Sequence, residues 1–459
     1  MLLLAEWTEA QSSGATWMTA GVTQQSDMAD DPRDAQIPSS GFMFNPWLTC
    51  SNLFVKGLAD NLVSHWHFVD RNRQRNLKLR DQKHRDDIVR AVLANLAYAL
   101  AARYEPPTVY VSLRAAKQKS SPRYDRDGFR GLPRVLDLLA QYNLLHLERS
   151  SKKGVASSIS PSTQFMEGPR GRVLAKLQEF AELPGRETIY LSRVDRDYAG
   201  ASETRELIDY RETPETTRYR AEMERINGSL SPGDFRLEDP SGQPLPTGLP
   251  YLRRHFSLPP DAPEGTERFD LGGRLFGWWQ NLPKAQRSGI RIKGEAVADL
   301  DFANMALRLA YLEAGHLPPE GDLYAAIPGL SEPRWRPGVK KAALAMLFRG
   351  SPLTRIPRGT RSELPPDLSG PQLRGAILAG HPALAGIFET GIGLRLMFIE
   401  SQILVAALLT LADKRIPAIP MHDGIMVAQS KAHQATTIMG DAAEAITGHR
   451  LPILLKSLY

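Results

Sequence analysis

Residues 416–428 read Ile-Pro-Ala-Ile-Pro-Met-His-Asp-Gly-Ile-Met-Val-Ala, two apolar runs that meet at one short polar step. Pro417 and Pro420 exclude a helix interior, because each removes a backbone donor and clashes with the preceding turn. Apolar runs meeting at Gly424 suit a tight β-hairpin with Asp423 at its tip. Taken alone, Asp423 reads as a solvated turn residue. It becomes a candidate ligand for a divalent cation once a second carboxylate is delivered from elsewhere in the fold.

Residues 295–302, Glu-Ala-Val-Ala-Asp-Leu-Asp-Phe, supply that carboxylate. The pattern predicts a strand with Asp299 and Asp301 on one face, since side chains alternate with period two. Asp301 and Asp423 are the expected metal ligands, with Asp299 as a lesser candidate whose plain alternative is a solvent-exposed strand residue. Between them, residues 335–348 predict a helix with Arg336 and Lys340 one turn apart, so both cations share a face. Such a pair can hold a triphosphate; a surface helix with stray charges is the alternative.

Composition bounds the rest. A balance of 57 Lys+Arg against 51 Asp+Glu, net +6, permits a polyanionic partner without requiring one. Cys50 is the single cysteine, which excludes an intramolecular disulfide and a cysteine-rich zinc site. The apolar first five residues are short and followed by Glu6 and Glu9, unlike a signal peptide, and the longest apolar run, 403–411, is too short to span a membrane. The expectation is a cytoplasmic protein with no membrane partner.

Residues 1–44 read as a flexible tail. Within 45–165, a charged run over 71–90 leads into a helix over 86–104, stopped by Pro106-Pro107. A strand over 108–113, a helix over 132–142 and strands over 144–149 and 155–160 follow. The last two flank a basic tip with Lys152 and Lys153. Helix, helix, hairpin is the order of a winged-helix module, whose basic tip contacts a nucleic-acid backbone; a purely structural role is the alternative. Residues 166–265 predict a helical, thumb-like region and linker: a helix over 170–183, a strand over 188–193, and a helix over 213–230 capped by Thr213 with Pro214 at its first position. The Pro- and Gly-dense stretch 237–263 reads as a linker or an extended wrap.

From 271 to 427, about a third of the chain, the motifs resemble, in order, the polymerase domain of family A DNA polymerases and the phage-type single-subunit RNA polymerases. Gly273-Arg274-Leu275 with Gln280-Asn281-Leu282-Pro283 is similar to the segment preceding the palm. Leu300 through Arg308 resembles motif A, and Gly321-Asp322-Leu323-Tyr324 the stretch before the fingers helix. Arg336 and Lys340 match the cations of motif B, Gln402 a duplex-contacting glutamine, and His422-Asp423 motif C. The resemblance implies an α+β fold, with the winged-helix-like module followed by a right-hand palm with reduced fingers over 266–459. It implies a template-dependent nucleotidyltransferase that uses two Mg²⁺ ions, with Mn²⁺ as the alternative, on nucleoside triphosphates and a DNA or RNA template.

In that reading Asp301 and Asp423 bind metal and Lys340 assists catalysis. Arg336, Lys340, Phe348 and Ala306 face the nucleotide, while Arg274, Gln280, Gln402 and His422 steady the nucleic acid. Departures are informative. Gly424 replaces an auxiliary carboxylate of motif C. Ala306 stands where the DNA enzymes carry a Glu that fills the space of a ribose 2′-hydroxyl, which implies tolerance of ribonucleotides. Leu344 stands where an aromatic residue is usual, and Lys341 in place of Lys340 is an alternative register. Two other readings compete: a catalytically degenerate, DNA-binding replication initiator or regulator, and a His-Asp phosphohydrolase, which the prolines around the hairpin disfavour.

Overall fold

The computed structural model describes residues 41–71, 78–113, 123–126, 129–152, 155–167, 175–196, 203–259, 261–421 and 423–458. The expected tail up to residue 40, part of the charged run, Lys153 and His422 lie outside them. The fold is mixed α+β with several sheets, one of them a curled half-barrel. Two hydrophobic cores organise it.

The first core is closed by helices Leu53–Arg71, Leu79–Ala101 and Leu132–Gln141. The second of these starts earlier than the sequence pattern suggests and buries Ile88, Val92, Leu96 and Ala99. Strands Gly41–Met43, Thr108–Val111, Ser157–Pro161 and Leu145–Glu148 form one sheet in that order. The last two pair antiparallel as the expected hairpin, with Lys152 exposed beyond them.

Two expectations are corrected. The described part of 170–183 is not a helix but a 3₁₀ turn, Leu177–Glu179, followed by strand Phe180–Glu182. That strand pairs with Leu48–Cys50 and seats Phe180 in the first core, so tertiary pairing overrides local helix propensity. Nor is 237–263 a linker. Its strand Arg253–Leu258 lies inside a four-stranded sheet, between Gly272–Phe276 and Ile189–Arg196. The strand's charge hides this. Arg254 is fully buried, yet its guanidinium donates to the Gly273 carbonyl at 3.1 Å and Ser401 Oγ at 3.0 Å and pairs with Glu222 at 3.3 Å. Burial pulls it down to about 10, against the opposing charge of Glu222.

Helix Pro214–Ser229 forms as expected, its Thr213 hydroxyl accepting from Thr216 N at 3.1 Å. Tyr219, Met223 and Ile226 on this helix belong to the same core as the segment that follows, so 214–230 is packed into the larger body. Helix Gly393–Asp413 runs through that body against helices Pro214–Ser229, Met305–Glu313 and Ala432–Thr447. Its 21 residues are long and apolar enough to cross a membrane, more than the 403–411 run suggests, but much of it is buried in this fold. Strand Glu295–Phe302 lies at the centre of the seven-stranded sheet. Gly424–Ala428 pairs along one side and Ile453–Leu458 along the other, both antiparallel, and Ala418–Met421 lies outside Gly424–Ala428.

Candidate active site

The hairpin forms as the prolines and Gly424 require: Met421 pairs with Gly424, which leaves Asp423 in the turn at its tip. Across the next strand pair Gly424 stands opposite Asp301, so the register carries the Asp423 tip to the end of the strand that holds Asp301. Gly424 is a close-approach glycine. A Cβ there would collide with the Leu300 carbonyl oxygen and lie 3.1 Å from Asp301 Oδ1. Trp279 Nε1 and Gln280 Nε2 both donate to the Pro420 carbonyl, at 2.7 and 3.2 Å, and fix the hairpin from below. Gln280 is buried and also donates to the Leu275 carbonyl. The structure therefore places it beneath the hairpin, although sequence placed it on nucleic acid.

Charge is concentrated here. Asp301 is only 8% exposed. Burial, reinforced by the neighbouring charge of Asp423, pushes its carboxyl up to about 8. Lys456 pulls the other way, with Nζ 2.5 Å from Asp301 Oδ2. Asp301 Oδ1 is buried and has no hydrogen-bond partner. Burial opposes ionisation of Asp423 as well, but Lys456, a hydrogen bond with the Asp301 carboxyl, Lys340 and Arg274 outweigh it and hold this carboxyl below its ordinary range. Asp423 is thus the readily ionised member of the pair. Asp299 is buried rather than solvent-exposed, which corrects the plain alternative, and it adds to the field that raises Lys456. Behind the pair, Arg274 Nε bonds the buried Glu400 carboxylate at 3.0 Å.

Helix Arg336–Phe348 carries further cations of the site. Lys340 Nζ and the Arg336 guanidinium lie 5.9 and 5.7 Å from the Tyr324 ring centroid, so both face the same buried aromatic. Arg336 makes a two-pronged contact with Asp322. Lys341 instead pairs with Glu363 at 2.6 Å. Asn304, in the left-handed conformation just after the Asp301 strand, accepts from Leu323 N at 2.9 Å and donates to Asp322 at 3.2 Å. These bonds tie the segment under the cations to the carboxylate strand. Arg308 donates to the carbonyls of Ala303, Pro319 and Gly321, a structural role without an ion pair.

Of the other expected residues, Ala306 is half-buried on the first turn of helix Met305–Glu313. Phe348 lies with its ring against Gly393. Gln402 donates to the Tyr219 hydroxyl at 3.3 Å, and Leu344 is buried in the core. Lys152 is remote in sequence and belongs to the first sheet's hairpin. The structure brings together Asp301, Asp423, Arg274 and Lys340. Lys456 escaped sequence reading, and Tyr324 and Glu400 were given no role at the site by it. Glu400 was legible as a carboxylate inside an apolar helix; Lys456 carries no motif signal.

No protein-family model and no curated protein matches the chain. Among the described residues no group of three or more His, Cys, Asp or Glu is poised around a metal. The donor set nevertheless fits Mg²⁺. Two carboxylates offer hard oxygens, one of them the unpartnered Asp301 Oδ1. Mg²⁺ is commonly bound through one or two carboxylates, with water and substrate phosphates completing its shell.

Proposed function

We propose that the chain is a template-dependent nucleotidyltransferase, a DNA or RNA polymerase with a palm built on Glu295–Phe302 and the Ala418–Ala428 hairpin. The observation that carries this reading is the Asp301–Gly424 register, which brings the Asp423 tip beside Asp301, with Asp423 in the field of Lys340. The order of motifs supplies the reaction class. Asp301 and Asp423 would hold Mg²⁺. When bound, the metal supplies activation of a primer 3′-hydroxyl and a hold on the triphosphate and departing pyrophosphate.

The chain's own residues do the remaining work. Lys340 neutralises charge that builds on the leaving phosphates, in a site where buried aromatics lower the local dielectric. Arg336 exchanges its Asp322 carboxylate for a phosphate when nucleotide arrives. Tyr324 is the floor that keeps both cations on one face. Arg274, held by Glu400, steadies the hairpin side, and Ala306 leaves room for a ribose 2′-hydroxyl. The paired strands Leu145–Glu148 and Ser157–Pro161, with Lys152 between them in sequence, are read as the wing of a nucleic-acid-binding module.

One observation favours a second reading, a polymerase-like initiator or regulator without turnover. Lys456 gives Asp301 Oδ2 a resident countercharge, so part of the carboxylate charge is balanced without metal. Primer extension across the four combinations of DNA or RNA template with deoxy- or ribonucleotides separates the two. Extension in any combination supports the enzyme, and duplex binding with none supports the regulator.

A further inference from the structure

Lys456 enters the site through an irregularity in the sheet. Along strand Ile453–Leu458, Leu454 pairs with Asp301 and Leu455 with Leu300, but Ser457 pairs with Asp299. The register shifts between Asp299 and Leu300, so Lys456 is the extra residue of a bulge. Bulges re-aim a side chain, and here the result is an ammonium 2.5 Å from Asp301 Oδ2, within the field of Asp299 and Asp423 as well. The side chain is half exposed, so its head can leave toward solvent without disturbing the core.

We propose that Lys456 is a displaceable resident cation: it neutralises the carboxylates while the site is metal-free, and a divalent ion must evict it from Asp301 to bind. This rests on the metal-binding reading of Asp301 and Asp423. A divalent ion on Asp301 Oδ1 would lie within a few Å of the ammonium on Oδ2, and their repulsion in a partly buried site is far larger than in water. Lys456 therefore lowers the metal affinity of the nucleic-acid-free protein, and substrate phosphates then complete the metal shell and offer the displaced ammonium a new anion. The bulged strand would in that way make tight metal binding depend on substrate.

The test uses the full chain and Mn²⁺ alone. Mn²⁺ binding is followed by electron paramagnetic resonance at fixed pH for the natural protein and Lys456→Met. The variant is expected to bind at least about ten-fold more tightly, since it loses an opposing charge. In the natural protein, acylation of Lys456 by an amine-reactive reagent, read by mass spectrometry, is expected to rise several-fold when Mn²⁺ is added. This second readout needs no variant to fold. Mn²⁺ that binds the natural protein without changing Lys456 labelling overturns the displacement and leaves the metal site standing. So does Mn²⁺ that binds Lys456→Met no more tightly. Absence of Mn²⁺ binding by either protein overturns both the displacement and the metal site.

Discussion

Gly424 and Leu300 approach so closely across the strand pair that no side chain fits between them. Residue 424 is therefore glycine because of where the hairpin lies. Replacing Gly424 by Ala should push the hairpin off the Asp301 strand and cost about 1–3 kcal/mol, the usual range for overpacking a tight site. Urea unfolding measures this, and an alanine variant as stable as the natural protein would show that the contact is loose.

The cations of helix Arg336–Phe348 should separate functionally as they do in space. Lys340→Ala is expected to lower kcat/KM for nucleotide roughly ten- to hundred-fold, because it removes a charge that acts on the reacting phosphates. Lys341→Ala, which removes the contact with Glu363, should leave kcat/KM within about two-fold. Steady-state kinetics on both variants decide it; equal losses would return the register to the alternative that sequence left open.

His381 gives the fold a defined acid sensitivity. It is buried, and its Nε2–H donates to the Leu323 carbonyl at 3.0 Å, since that oxygen can only accept; Nδ1 then accepts from the Tyr311 hydroxyl at 2.9 Å. Burial lowers its pKa below the ordinary 6.5. The unfolded chain takes up the proton that the folded chain resists, so stability is retained above that ordinary value and falls as pH drops below it. The slope is at most about 1.4 kcal/mol per pH unit. Unfolding titrations from pH 7.5 to 5 should show a steeper loss for the natural protein than for His381→Gln. Parallel curves would remove His381 from the explanation.

How much of this was legible in the sequence depends on how local the cause is. Pro417, Pro420 and Gly424 dictate a hairpin by backbone chemistry alone, and the alternation around Leu300 dictates a strand. Thr213 with Pro214 announces a helix start in the same way. Strand Phe180–Glu182 was missed because its only reason to be a strand is Leu48–Cys50, distant in sequence. Strand Arg253–Leu258 was missed because Arg254 reads as surface until Glu222, Ser401 and the Gly273 carbonyl surround it. Gln280 was read as a ligand contact because its partner, the Pro420 carbonyl, has no sequence signature. Lys456 depends on a register shift that no residue pattern encodes.

The most direct measurement is primer extension with Mg²⁺ by the natural protein, Asp301→Asn and Asp423→Asn, run beside duplex binding on the same samples. The natural protein should extend a primer only when the divalent ion is present. Each asparagine variant should lose extension by about a thousand-fold or more while binding duplex with unchanged affinity, since the carboxylates hold the catalytic metal and not the nucleic acid. Full extension by Asp301→Asn would contradict the assignment of the carboxylate pair as the catalytic centre.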